Sequence, residues 1–303
     1  MGPPFLILCR SFVHSFHSFP ALCCVLFCFL LTPPPPPNTS IPFHNSVFFF
    51  FVFFFRYPAN VTLLDIFRFI AFPTLCYQTS YPRTASIRKV WLLKRLLELF
   101  LTLAAQGIVF NQLMLPVLLE ALLAKRTDGE DFAIMKYVLK LAVPSLVCWL
   151  GMFYSLFHLH LNILAEVTYF GDRLYYKAWW NATKLDVYWR DWNIPVHAWL
   201  VRHVFFPCMN IGLSKSVSTF LVFFTSAVAH EVLVSVPCHT NKLWAFYGMM
   251  GQLPLIAFTN FLDRNFQGSQ VGNFVFWVSF CIVGQPLCIL LYFIEVAEIM
   301  AAK

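Results

Sequence analysis

The chain has 303 residues, of which 59% are hydrophobic, 18% aromatic and only 12% charged, against about 25% charged in ordinary soluble domains. This composition leaves too little polar surface to cover a water-soluble protein of this size, so it excludes a soluble globular enzyme. The net charge of +7 is a modest basic excess, typical of the cytosolic loops of membrane proteins and too small to indicate a nucleic-acid partner. The cysteines lie mostly within apolar segments and lack the paired spacing of zinc sites or disulfide frameworks, so no metal site is predicted.

Residues 1–57 differ in texture from the rest of the chain. Residues 33–37 are all Pro, and Phe dominates residues 47–55. Such low-complexity runs do not specify a unique packing. The segment is therefore interpreted either as translated non-coding sequence or a wrongly placed gene start, or as a signal peptide or anchor at residues 21–31.

From residue 58 onward, apolar blocks alternate with polar loops at a spacing that fits helices and not barrel strands. The sequence therefore predicts an all-α, polytopic transmembrane protein that is embedded in the lipid bilayer. Asp65 and Arg68 weaken the first block, which also fits an interfacial or partner-covered helix. The predicted spans are residues 61–77, 97–123, 141–165, 217–237, 243–262 and 271–297.

The charges of the loops predict the orientation. The loop after the first block is rich in Lys and Arg with no acid before Glu98, so the positive-inside rule places it in the cytosol. Residues 124–140 then fall on the far side, and the long stretch 166–216 returns to the cytosol. That stretch is rich in Trp and Tyr, a composition typical of helices at the membrane interface.

His230 and Glu231 lie near the middle of an otherwise apolar span. Burying an imidazole and a carboxylate costs several kcal/mol unless they are paired or line a polar cavity, so both are candidate functional residues. The alternative is a His satisfied by a carbonyl of a neighbouring helix. A zinc-protease interpretation fails, because Val234 stands where the HExxH motif needs its second His. A neutral imidazole in a dry site can act as general base for an alcohol that attacks an activated acyl group.

Further polar residues fall within or beside apolar segments. Asn193 and His197 lie at the beginning of a Pro-started helix, while Gln252 and Gln285 are each followed by a Pro that frees backbone groups. Hydrogen bonding between helices is the alternative for both amides. The histidines and Asn near the end of the third predicted span are interpreted as structural.

Three motifs carry a resemblance to a known family: YYKAWWN at 175–181, WNIPVH at 192–197 and HEVLVSVP at 230–237. Supporting stretches lie at 72–95, 139–173, 243–254 and 283–286. With these motifs the chain resembles the membrane-bound O-acyltransferase family, from about residue 59 onward. WNIPVH and HEVLVSVP favour its diacylglycerol branch over its sterol branch. Members of the family carry additional N-terminal helices that precede the matching region, so residues 58–303 resemble the catalytic region without them.

The resemblance implies an enzyme of the endoplasmic reticulum membrane that moves an acyl group from fatty acyl-CoA to the hydroxyl of diacylglycerol. Acyl-CoA is then a co-substrate, no further cofactor is implied, and full-length members are expected to form homo-oligomers. His230 matches the catalytic base and Asn193 a second catalytic position. The residues implied in substrate binding are Tyr176, Trp179, Trp180, Asn181, His197, Lys215, Glu231, Gln252 and Gln285.

The chain departs from the family pattern at two places besides its beginning. Ala178 replaces the Asp of the FYxDWWN motif, and the stretch between Arg202 and Lys215 lacks the expected basic residues. Three alternatives therefore stand beside diacylglycerol acylation: acylation of sterols or long-chain alcohols, an inactive truncated or regulatory form that only binds acyl-CoA or a partner, and a transporter.

Overall fold

The computed structural model describes residues 62–129, 133–266 and 270–301. Within these ranges the chain is helical and contains no β-strand beyond an isolated bridge between Arg83 and Phe170. The predicted all-α class is therefore confirmed. The predicted low-complexity segment, residues 1–57, lies outside the described residues.

The first two long helices form an antiparallel pair. Helix α2 runs through Lys89–Val109, a π-helical turn at Phe110–Met114 and Leu115–Asp128. Helix α3 runs through Ile134–Phe153, a second π-helical turn at Tyr154–His160 and Leu161–Val167. A short helix, α1 (Leu63–Ala71), precedes them.

Short helices fill the aromatic stretch between α3 and the next long helix. A 3-10 turn, Trp179–Asn181, is followed by α4 (Leu185–Trp192). Helix α5 then runs through Ile194–Leu200, a π-helical turn at Val201–Phe205 and Phe206–Asn210.

The remaining described chain has two long helices with two shorter ones between them. Helix α6 (Lys215–Cys238) is followed by α7 (Trp244–Met250) and α8 (Gln252–Asn265), which meet at Gly251. Helix α9 runs through Val271–Phe276, a π-helical turn at Trp277–Gly284 and Gln285–Ala301.

Four helices of the described chain are long and apolar enough to cross a membrane: Lys89–Thr127, Ile134–Val167, Lys215–Cys238 and Val271–Ala301. They confirm four of the six predicted spans and a multi-pass membrane protein. The predicted span 61–77 is wrong, because α1 ends at Ala71, just before Pro73, and its 9 residues are too short for about 30 Å of hydrocarbon. The predicted span 243–262 is also wrong as a single helix, because Gly251 separates α7 from α8.

Ion pairs show which helix ends lie together. Arg88 at the beginning of α2 pairs with Glu166 at the end of α3 (2.8 Å), and Lys125 near the end of α2 pairs with Glu298 near the end of α9 (2.9 Å). Gly272 at the beginning of α9 packs so closely on the carbonyl of Thr183 that a Cβ would clash with it. The loops before α2 and after α3 therefore share one end of the bundle with the beginning of α9.

Candidate functional site

His230 has a defined tautomer on α6. Its Nδ1 lies 2.7 Å from the carbonyl oxygen of Ser226, one turn earlier in the same helix. Because a carbonyl oxygen can only accept, Nδ1 carries the hydrogen and Nε2 keeps its lone pair. No hydrogen bond within the described residues engages Nε2. The imidazole therefore presents a free proton acceptor inside an apolar helix.

Glu231 connects three helices next to His230. Its buried carboxylate accepts hydrogen bonds from the backbone N–H groups of Leu243 and Phe246, each at 3.2 Å, at the beginning of α7. The hydroxyl of Tyr292 on α9 donates to the same carboxylate at 2.8 Å and accepts from the N–H of Ala245 at 3.0 Å. An anion at these orphan N–H groups is stabilising. Glu231 thus has a structural role, and its contact with a substrate stays a prediction.

Asn193 joins α4 to α5 and caps the second of these helices. Its Oδ1 accepts a hydrogen bond from the N–H of Val196 at 3.2 Å, the geometry of an N-cap. This bond fixes the orientation of the amide and leaves its NH₂ group as a donor. On the next turn, burial and the nearby charge of Arg190 lower the pKa of His197, which is therefore neutral at pH 7.

The YYKAWWN motif divides between core and surface. Trp179 is buried, in edge contact with Trp149 and Trp192, which stack on each other with ring centroids 4.8 Å apart. Trp180 is 44% exposed, and Asn181 lies on the surface. Trp179 therefore holds the aromatic core, while the exposed face of the motif is available to a ligand.

The remaining predicted residues lie on three different helices. Gln252 donates to the carbonyl of Gly248 at 3.2 Å, at the junction of α7 and α8. The Oε1 atoms of Gln252 and Gln285 are buried without a protein hydrogen-bond partner, so both acceptors are available to a ligand donor. Lys215 is exposed at the first position of α6, beside the capping Ser214.

Ring contacts bring the helices of these residues together. Trp189 on α4 contacts Phe223 on α6 and Phe280 on α9, with ring centroids 6.3 Å apart in both pairs. Phe223 lies about two turns before His230 on α6. Trp189 thus contacts the face of α6 that carries Phe223 and His230 and, separately, the helix that carries Gln285. No hydrogen bond between His230 and the amides of Asn193 and Gln285 is present in the described part of the chain, so their joint action on a substrate stays a prediction.

Two features were missed at the sequence level. One is Tyr292, because its partner Glu231 lies far away in sequence and only the fold pairs them. The other is His158 on the π-helical turn of α3, which the sequence interpretation treated as structural. Its Nδ1 lies 2.8 Å from the hydroxyl of Tyr176 in the YYKAWWN motif. Arg95 and Glu98 on α2 were the available signal in the sequence, since charged side chains in an apolar helix require a polar partner.

Comparison with known families decides the classification. The family model of the membrane-bound O-acyltransferase family matches residues 44–294. The chain belongs to the membrane-bound O-acyltransferase family. This family member is 49% identical to diacylglycerol O-acyltransferase 1 of Corylus americana over 237 residues, which cover 78% of this chain and 44% of the relative.

Further relatives carry the same description. Diacylglycerol O-acyltransferase 1 of Arabidopsis thaliana is 47% identical over 77% of this chain and 44% of its own length. The protein of that name from Dictyostelium discoideum is 45% identical over 78% of this chain and 38% of its own length. The chain thus spans less than half the length of these relatives.

Proposed function

We propose that this chain is the catalytic region of an acyl-CoA:diacylglycerol O-acyltransferase of the endoplasmic reticulum membrane, with His230 as general base. The observation that carries the proposal is the Nδ1–H bond of His230 to the Ser226 carbonyl, because it leaves Nε2 as the only basic atom of the ring. Support for the substrates comes from the names of the relatives at 45–49% identity.

The proposed reaction uses no metal or resident cofactor. Nε2 of His230 takes the proton of the diacylglycerol hydroxyl while that oxygen attacks the thioester carbonyl of acyl-CoA. The new C–O bond forms, the C–S bond breaks, and the CoA thiolate takes the proton from the imidazolium. The NH₂ group of Asn193 is a donor for the carbonyl oxygen as charge develops on it. Triacylglycerol and CoA are the products.

The experiment is triacylglycerol synthesis by microsomes of a yeast strain without its own neutral-lipid acyltransferases. The strain expresses residues 1–303 or the His230→Ala variant at matched levels, with labelled acyl-CoA and either diacylglycerol or sterol as acceptor. Label in triacylglycerol with the unmutated chain and none with the variant is the expected result. Label in steryl ester instead would move the assignment to the sterol branch.

One observation favours a second function, an inactive or regulatory form that binds acyl-CoA or a longer partner. Ala178, at the position of the motif's Asp, is exposed and precedes the 3-10 turn Trp179–Asn181 without any side-chain cap. Well-expressed protein that binds acyl-CoA but transfers no label would support this alternative and contradict the catalytic proposal.

A further inference from the structure

A recess with three cationic side chains lies at the beginning of α2, the helix whose candidate membrane span starts at Lys89. Its volume is about 420 Å³, and it is lined by Arg88, Lys89, Val90, Trp91 and Lys94. This volume falls in the range of about 300–1,000 Å³ that is typical of sites for small ligands. Among the described residues, no acidic side chain lines the recess. The recess is therefore suited to a ligand with negative charge.

Two of the three cations have no counter-ion in the described part of the chain. Arg88 pairs with the buried carboxylate of Glu166 at 2.8 Å, and Arg173 shares that carboxylate. Lys89 and Lys94 are exposed, and neither forms an ion pair within the ranges that the structure describes. Both ammonium groups can therefore pair with an anion from outside the chain.

Trp91 stabilises the shape of the recess. The guanidinium of Arg88 lies over its ring at 4.6 Å from the centroid, and those of Arg95 and Arg173 lie at 5.6 Å and 5.9 Å. Such cation–π contacts hold the ring in one position. Trp is also typical of the level of the head groups in a bilayer. The recess is thus a formed site at the membrane surface.

The side of α2 that carries Lys89 is apolar further along the helix. Leu93, Leu97 and Phe100 are all exposed, and at 100° per residue they lie within about 80° of Lys89 around the axis. At 1.5 Å per residue, this apolar face extends from about 6 Å to about 17 Å beyond Lys89, into the hydrocarbon region. Cations at the surface followed by an exposed apolar face match an anionic head group that is attached to acyl chains.

We propose that the recess at the beginning of α2 binds an anionic phospholipid, whose phosphodiester pairs with Lys89 and Lys94 while its acyl chains lie along the apolar face. Arg88 joins this site to the end of α3 through Glu166. The inference goes beyond the proposed function, because neither substrate of that reaction is an anionic phospholipid. The site therefore binds its lipid whether or not the chain transfers acyl groups.

The experiment measures lipid binding directly. The full chain, purified in detergent, is titrated with phosphatidylinositol that carries a fluorophore on one acyl chain, and binding is followed by fluorescence anisotropy. Unlabelled phosphatidylinositol should displace this probe, whereas phosphatidylcholine should require at least about tenfold more lipid, because its head group has no net charge. Glycerophosphoinositol, the same head group without acyl chains, should not displace the probe even at about 100-fold higher concentration.

Substitutions test the two lysines. Lys89→Gln and Lys94→Gln should each raise the Kd of the probe about fivefold, and both together about 25-fold. The variant with Lys89→Arg and Lys94→Arg keeps both charges and should bind within about twofold of the unmutated chain. Arg126→Gln is the matched control, because Arg126 is an exposed cation in the last turn of α2, away from the recess. Its Kd should also change less than twofold.

Each other outcome contradicts the inference. Unchanged binding by the double Gln variant shows that the recess does not hold the lipid. Equal competition by phosphatidylcholine shows a general lipid layer without a head-group site. Displacement by glycerophosphoinositol as strong as by phosphatidylinositol shows a site for soluble phosphates. An equal loss in Arg126→Gln shows attraction to net charge alone. None of these results bears on the proposed function, which is tested separately by label in triacylglycerol.

Discussion

The bonds between Glu231 and Tyr292 predict a specific loss of stability when the hydroxyl is removed. The buried Tyr292 hydroxyl donates to Glu231 at 2.8 Å and accepts from the N–H of Ala245 at 3.0 Å. Tyr292→Phe removes both bonds while it keeps the ring that packs on Trp244. The charge-assisted bond is worth about 2 kcal/mol, and the amide left without an acceptor costs about 1 kcal/mol. We therefore expect a total loss of about 3 kcal/mol.

The measurement is thermal unfolding of purified protein in detergent, followed by intrinsic fluorescence. At about 2 °C per kcal/mol for a chain of this size, Tm should fall by about 6 °C. Tyr247→Phe is the matched control, because Tyr247 on α7 is 63% exposed and its hydroxyl makes no hydrogen bond within the described residues. Its Tm should change by about 1 °C or less. A Tm of Tyr292→Phe equal to that of the unmutated chain would refute the proposed role of the Glu231 cluster.

Three further predictions concern the loops around the aromatic stretch. Glu166→Gln leaves Arg88 and Arg173 without their buried carboxylate and should lower the free energy of unfolding by about 2 kcal/mol, measured as a lower Tm. An unchanged Tm would show that water solvates the two guanidinium groups as well as the carboxylate does. Ala178→Asp supplies the missing cap of the 3-10 turn and should stabilise the fold, measured as a higher Tm, or tighten acyl-CoA binding, in either case by a few tenths of a kcal/mol. A lower Tm together with weaker acyl-CoA binding would show that the motif's acid is incompatible with this loop. Burial lowers the pKa of His197, so the folded state binds fewer protons than the unfolded chain and its stability falls as the pH drops below about 6.5. The Tm of His197→Gln should therefore fall less between pH 7 and pH 5 than the Tm of the unmutated chain. Equal falls in Tm for the two proteins would contradict this cause.

Composition and periodicity were enough for the fold class and for four of the membrane spans. They failed at residues 61–77 and 243–262, where average hydropathy ignores the backbone. Pro73 ends one helix early, and Gly251 separates two helices whose combined length resembles one span. Hydropathy windows weigh side chains only, so a break of one residue inside an apolar block leaves no trace in them.

The candidate residues were predictable by type, but their partners were not. A His and a Glu within an apolar span predict a functional pair, yet neighbouring positions on a helix point about 100° apart. In the structure the Glu231 carboxylate accepts hydrogen bonds at the beginning of α7, while Nε2 of His230 has no hydrogen bond within the described residues. The partners Ser226 and Tyr292 follow from helix geometry and tertiary packing, respectively, and only the first can be read from the sequence.

The central claim is that Nε2 of His230 is the base, and His230→Asn tests it most directly. The NH₂ group of Asn can replace Nδ1–H on the Ser226 carbonyl, so this variant keeps the intrahelical bond and loses only Nε2. We predict unchanged Tm and unchanged binding of a non-transferable thioether analogue of oleoyl-CoA, with triacylglycerol synthesis reduced at least about 100-fold, the usual contribution of a general base. Synthesis by His230→Asn within about threefold of the unmutated rate would contradict the account.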